Sequence, residues 1–205
     1  MPATADRPTE ATRAEARRAQ IRAAAADCFR RHGFHGTSIA EISKAAGMSA
    51  GHIYHYFENK EAIIADIVAQ DMQRLLALTA ELRAASDVKA AMVERAVQGV
   101  EENLDLGRAG LQNEIVAEAA RNPHIADIVR AADALCRESL ADTLRALRRA
   151  DGHRDSEAHL SGMVEALAAM FEGLRTRSIR NPGLDRDAVV RIFRRMVHDL
   201  LTQTP

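Results

Sequence analysis

The stretch FHGTSIAEISKAAGMSAGHIYHYFENKEAII, residues 34–64, constrains the fold more than any other part of the chain. It reads as two short helices joined by a tight turn. Thr37 or Ser38 can N-cap the first, and Glu41 stands three residues after Ser38, the spacing of a capping box. That helix is predicted from Ile39 to Ala46, where Gly47 stops it. Ser49 can cap the second, from Ala50 to Tyr56, and Asn59 caps a long helix from Lys60 to about Ala84. Helices of about seven residues are not stable alone, because the first turn fixes many dihedrals for one hydrogen bond. They must pack on something. The chain supplies a first helix from about Ala11 to His32, ended by Gly33, with an apolar stripe of Ile21, Ala24, Ala25, Cys28 and Phe29. Ile39, Ile42, Ala46, Met48, Ile53 and Phe57 are the matching buried set. Ala45 and Ala46 beside Gly47 allow a close crossing, which is the logic of a helix-turn-helix.

Subtracting the buried set from the second short helix leaves Ala50, Gly51, His52, Tyr54, His55 and Tyr56 facing out. Composition sharpens this. The chain has five Phe, two Tyr and no Trp, yet Tyr54, Tyr56 and Phe57 fall within four positions. Nothing on the outward face is acidic before Glu58. Small residues at the helix start let the backbone approach base edges, and Tyr hydroxyls and His nitrogens bond phosphates or bases. Lys44 and Lys60 flank the helix, and Thr37 offers a hydroxyl and N–H groups where a phosphate can dock. Residues 1–60 carry nine Lys/Arg against six Asp/Glu, a balance of +3, within a chain of net charge −1. That asymmetry suits nucleic acid at the N-terminal end, although scattered solvated charge and half-buried tyrosines fit the same counts.

Good helix formers dominate the remainder and no alternating apolar/polar run is sustained, so the chain is read as all-α, with about nine helices. Further helices are predicted at about 88–105, 109–120, 124–150, 156–180 and 186–203, broken at Ser86-Asp87, Gly107, Asn122-Pro123, Asp151-Gly152 and Asn181-Pro182-Gly183. The expected domains are a disordered polar arm over 1–10, a helix-turn-helix domain over 11–60 and a helical domain over 61–205. No apolar run reaches the roughly 20 residues of a membrane span, and no signal core opens the chain, so a cytoplasmic location is expected. Cys28 and Cys136 read as small buried hydrophobes, not as a disulfide.

A second reading, an all-helical enzyme or metal protein, finds little support. His124, His153, His159 and His198 lie on separate segments, and His52 and His55 have i,i+3 spacing but no Cys or carboxylate at ligand distance. No catalytic set, metal site or cofactor is expected.

Residues from about Arg18 to Ile67 resemble the DNA-binding region of the TetR family of transcriptional regulators. The resemblance rests on Phe29 with Gly33-Phe34, then Gly36-Thr37-Ser38-Ile39, Ile42 with Ala46-Gly47-Met48-Ser49, and Ile53-Tyr54 with Tyr56-Phe57 and Asn59-Lys60. Tyr56 stands where many members have His, and Gly51-His52 also departs from the usual pattern. The resemblance implies phosphate contacts from Thr37, Tyr54 and Lys60, with Lys44 as a further one. It places Ala50, Gly51, His52, His55 and Tyr56 in the groove of double-stranded operator DNA. Ser38 and Ser49, at the two helix starts, complete the candidate contacts. It also implies a homodimeric repressor released from its operator by a small-molecule effector.

The C-terminal region carries less. Its helices can enclose an apolar effector cavity, for which Met92, Leu111, Ile115, Glu118, His124, Ile128, Met163, Leu167, Met170 and Phe171 are candidates, with core packing as the ordinary alternative. Glu114 and Glu118, four apart, could neutralise a cationic ligand or simply be solvated. The stripes Leu160, Val164, Leu167, Phe171, Leu174 and Val189, Ile192, Phe193, Met196, Val197, Leu200 suit a homodimer seam over about 156–203 and suit an internal core equally.

Overall fold

The computed structural model describes residues 10–203, and these form nine α-helices and no strand. They are α1 (Glu10–Gly36), α2 (Ile39–Ala46), α3 (Ala50–Tyr56), α4 (Lys60–Ala84), α5 (Val88–Asn103), α6 (Leu106–Ala119), α7 (Pro123–Ala150), α8 (Glu157–Arg180) and α9 (Arg186–Thr202). The expected arm lies outside the described residues, apart from Glu10, which opens α1. No helix among the described residues is long and apolar enough to cross a membrane.

The chain divides between Ile67 and Val68 into two compact units. In the first, Ile21, Ala25, Cys28 and Phe29 of α1 are buried with Ile42 and Ala46 of α2, Ile53 of α3, and Phe57. Ile63, Ile64 and Ile67 are buried as well, so the first turns of α4 belong to this core. Arg22 fastens α1 to α4 by donating to Asp66 Oδ2 at 2.6 Å. Gly33 interrupts α1 with φ 73 and ψ 167, a conformation that glycine alone adopts readily.

In the second unit, α5 packs on α8 and α9, while α6 packs on α7 and α8. Leu144, Leu147, Leu160, Met163, Val164, Leu167, Val197 and Leu201 form the main core with Met92 and Ala96. Leu160, Val164, Leu167, Leu174 and Val197, read from sequence as fitting a seam or a core, are thus core. Of those stripes Ile192 and Met196 are left exposed, and Ile179 on α8 is exposed as well.

One helix start differs from expectation. Gly107 was expected as a break, but it lies in the first turn of α6. Asp105 causes this, because its carboxylate accepts from Arg108 N at 2.7 Å and caps the helix two residues before Gly107.

Candidate nucleic-acid interface and effector cavity

The two short helices are fixed by capping at both ends. Ser38 Oγ accepts from Glu41 N, and Glu41 Oε2 accepts from Ser38 N at 2.7 Å, so the expected capping box is present. These hydrogen bonds hold the Glu41 carboxyl below the usual carboxylate range. At the other end Gly47 takes φ 64 and ψ 34. Its N–H bonds Lys44 O while Met48 N–H bonds Ser43 O, the paired bonds of a Schellman turn. From α1, Gln20 Nε2 donates to Ala46 O at 2.8 Å, capturing another terminal carbonyl of α2. Ser49 then caps α3 by accepting from His52 N, and Asn59 caps α4 by accepting from Ala62 N.

This frame presents one face of α3 outward. Ala50, Gly51, His52, Tyr54 and His55 are exposed, Tyr54 to 56%, while Ile53 is fully buried. Tyr56 is half-buried, with its ring 5.4 Å from that of His52 and 4.9 Å from that of His55. The aromatic cluster thus divides between a packing role for Phe57 and an open polar face. Lys44, on α2, is exposed and has no ion pair among the described residues. Ser38 and Ser49 are exposed, but their hydroxyls already serve as caps.

Thr37 and Lys60, expected as phosphate contacts, make hydrogen bonds within the protein in this structure. Thr37 is buried, and its hydroxyl donates to Gly33 O at 2.8 Å. Its N–H bonds Phe34 O. Lys60 Nζ donates to Phe34 O at 2.7 Å and Thr37 O at 2.6 Å and lies 4.5 Å from the centre of the Phe34 ring. Both side chains close the turn that follows Gly33, which leaves carbonyls without helical partners. The acceptors of Lys60 lie 26 and 23 residues away, and such pairs leave no trace in sequence spacing.

The second unit holds a half-open cavity of about 330 Å³ between α4, α5, α6, α7, α8 and α9. Of the sequence candidates, Met92, Leu167 and Phe171 line it. Leu111, Ile115, Glu118, His124, Ile128, Met163 and Met170 do not. Ile115 and Met163 are core, His124 is exposed in the first turn of α7, and Leu111, Ile128 and Met170 are half-buried elsewhere. Glu118 is neither solvated nor in the cavity: it is buried, 3.5 Å from Arg121.

The lining that sequence reasoning missed is charged. Glu102 receives Arg74 and Arg95 at 3.0 Å and Arg108 at 3.6 Å. These contacts hold its carboxyl below the usual range against the opposing effect of burial, the largest single influence. Asp71 accepts from the Gln112 amide, and burial pushes its carboxyl up. A signal existed in α5, where Arg95 and Glu102 fall in register with the buried Met92, Ala96 and Gly99. Charge on a buried stripe is not a solvated face.

Residues 21–67 match the family model described as bacterial regulatory proteins, tetR family. Residues 90–202, more than half of the chain, match the BetI-type transcriptional repressor C-terminal model. The chain belongs to the TetR family. As a TetR-family protein it is a DNA-binding transcriptional repressor and not an enzyme, and α2 and α3 are its helix-turn-helix. Among curated relatives, the HTH-type transcriptional regulator UidR of Escherichia coli K12 is 35% identical over 134 residues, 65% of this chain and 67% of that one. The HTH-type transcriptional repressor AcnR of Corynebacterium jeikeium is 23% identical over 169 residues, 82% of this chain and 85% of its own. Among solved structures, Salmonella enterica GusR superposes with a TM-score of 0.77 at 28% identity, covering 97% of this chain and 100% of that one. FadR from Bacillus subtilis, solved with stearoyl-CoA, shares the fold with a TM-score of 0.68 at 18% identity, covering 91% and 99%.

Proposed function

We propose that this TetR-family repressor works in the cytoplasm as a homodimer that reads a near-palindromic operator with paired α3 helices and releases it when a small molecule fills the cavity of the second unit. The observation that carries the reading is the face of α3, with its exposed small residues at the start, polar aromatic tips beyond, and no acid before Glu58. On this reading Tyr54 and Lys44 meet phosphates while Ala50, Gly51, His52, His55 and Tyr56 meet base edges. Two such helices in a symmetric dimer sit about 34 Å apart, one turn of the duplex.

The outer faces of α8 and α9 support self-association. Gly162, Ala166, Ala169 and Gly173 recur on the exposed side of α8, and a side chain added at Gly162 or Gly173 meets nothing within 4 Å. Ile179, Ile192 and Met196 add exposed apolar surface on the same two helices. The effector role draws on the 330 Å³ cavity and on the ligand held by the B. subtilis FadR structure.

The test is binding to duplex fragments flanking the gene, titrated against salt. Specific, salt-dependent affinity is expected, because each neutralised phosphate releases counterions. Affinity that ignores salt for every fragment sinks the reading.

A further inference from the structure

The cavity is polarised along its length. Along α4 its lining runs from Asp71 and Arg74 to Leu78 and Leu82. Along α5 it runs in the opposite order, from Met92 and Ala96 to Glu102 and Asn103, with Arg95 starting beside Ala96 and extending its guanidinium to Glu102, and along α8 from Val164 and Leu167 to Glu172 and Arg175. The ion pairs among Arg74, Arg95, Arg108, Asp71 and Glu102 gather the charged ends at one pole. The other pole is continuous with the main core.

The charged pole is not neutral. Arg74, Arg95 and Arg108 face only Glu102 and Asp71, which leaves one positive charge uncompensated. Among the other lining charges Arg175 pairs with Glu172 at 3.5 Å and Arg137 with Asp133 at 2.7 Å, Arg137 also reaching Glu165, outside the lining, at 3.2 Å. Arg95 gives Nη2 to Glu102, but its buried Nη1 has no hydrogen-bond partner. A buried guanidinium N–H without an acceptor is costly, and a ligand oxygen is the acceptor that fits.

On the reading that this cavity is the effector site, we infer that its effector is a small amphipathic monoanion. A carboxylate sits against Arg95 at the charged pole, and an apolar body lies among Leu78, Leu82, Met92 and Leu167. A single charge matches the single excess, so a phosphate dianion is over-charged for the site. A quaternary ammonium is disfavoured twice, by the sign of the pole and by a lining with one aromatic residue, Phe171, which cannot form a cage. The volume of about 330 Å³ lies near the bottom of the range for ligand pockets, which favours a small body.

The full-length protein is titrated with octanoate, octanamide and octyltrimethylammonium, with benzoate and benzamide as a second matched pair. Binding is read by thermal shift and calorimetry, and operator release is read separately. The carboxylates are expected to bind about tenfold or more tighter than their amides, the gain from a charge-assisted hydrogen bond in a buried site. Arg95→Gln is expected to bring carboxylate and amide to equal affinity. Glu102→Gln, which frees the arginines, is expected to keep or widen the preference and covers the case in which Arg95→Gln fails to fold. Amides binding as well as acids, preference for the cation, or no binding of either carboxylate at millimolar concentration overturns the inference. Carboxylates that bind without releasing operator DNA leave the ligand class standing and sink the effector reading instead.

Discussion

Phe171 lays the edge of its ring against the backbone of α5 at Gly99, where an added Cβ stands 2.9 Å from Phe171 Cε1. The ring also packs against Phe193, centroid to centroid 5.6 Å, so moving it disturbs that contact. Gly99→Ala therefore sets a helix-propensity gain of up to about 1 kcal/mol against an overpacking cost of about 1–3 kcal/mol. The expected result is a net loss of about 1 kcal/mol, seen as a lower urea midpoint with unchanged m-value. An unchanged or raised midpoint means the ring moves aside freely.

Lys44 and Lys60, both candidate phosphate contacts by sequence, separate by experiment. Lys44 is exposed and unpaired among the described residues, so Lys44→Ala weakens operator binding uniformly and lowers the salt slope by about 1. Lys60 holds Phe34 O and Thr37 O, so Lys60→Ala lowers the melting temperature before DNA is added. Tyr54→Phe follows Lys44 in weakening all sequences alike, whereas replacing His52 or Tyr56 changes which operator is preferred. A Lys60→Ala protein as stable as the parent refutes the latch.

Arg148 and Asp155 are buried together, each side chain 1% exposed, with bonds of 2.6 and 2.8 Å. Arg148 also donates to Leu201 O and Gln203 O, tying the loop before α8 to the end of α9. The Arg148 bonds hold the Asp155 carboxyl below the ordinary value of 3.8. A depressed folded value means its stabilisation is present above about pH 4 and is lost as pH falls below that. Asp155→Asn strands the guanidinium and is expected to cost about 3 kcal/mol at neutral pH, with the loss shrinking in acid. Equal losses at pH 7 and pH 3 contradict this.

Ile192 lies 56% exposed on α9 with Met196 one turn on. Ile192→Glu is expected to shift the protein from dimer to monomer in sedimentation analysis and to lose operator affinity, because one recognition helix holds half a site. A parent protein that sediments as a monomer at working concentration removes this interface.

Local rules made the helix-turn-helix legible. Ser38 with Glu41, Gly47, Ser49 and Asn59 act within three or four residues of themselves, and spacing reports such bonds. Gly107 misled because a cap two residues upstream decided the helix start. The internal bonds of Thr37 and Lys60 were not legible, because their acceptors belong to a turn that forms only once α1 breaks at Gly33. The cavity was least legible. Arg74, Arg95 and Arg108 sit on three helices and meet at Glu102 only in the packed unit, so each alone reads as a solvated charge. Val164 and Leu174 show the converse, since an apolar stripe does not say whether its partner is this chain or a second copy.

The division of labour along α3 bears on how such a regulator diverges. Ile53 and Phe57 anchor the helix, while Ala50, Gly51, His52 and His55 hold nothing in place with their side chains beyond one ring contact each at the histidines, and a side chain added at Gly51 meets open space. Substitutions there leave the fold's stability nearly untouched. A duplicated copy of the gene can therefore drift toward a new operator one residue at a time, passing through intermediates that all still fold.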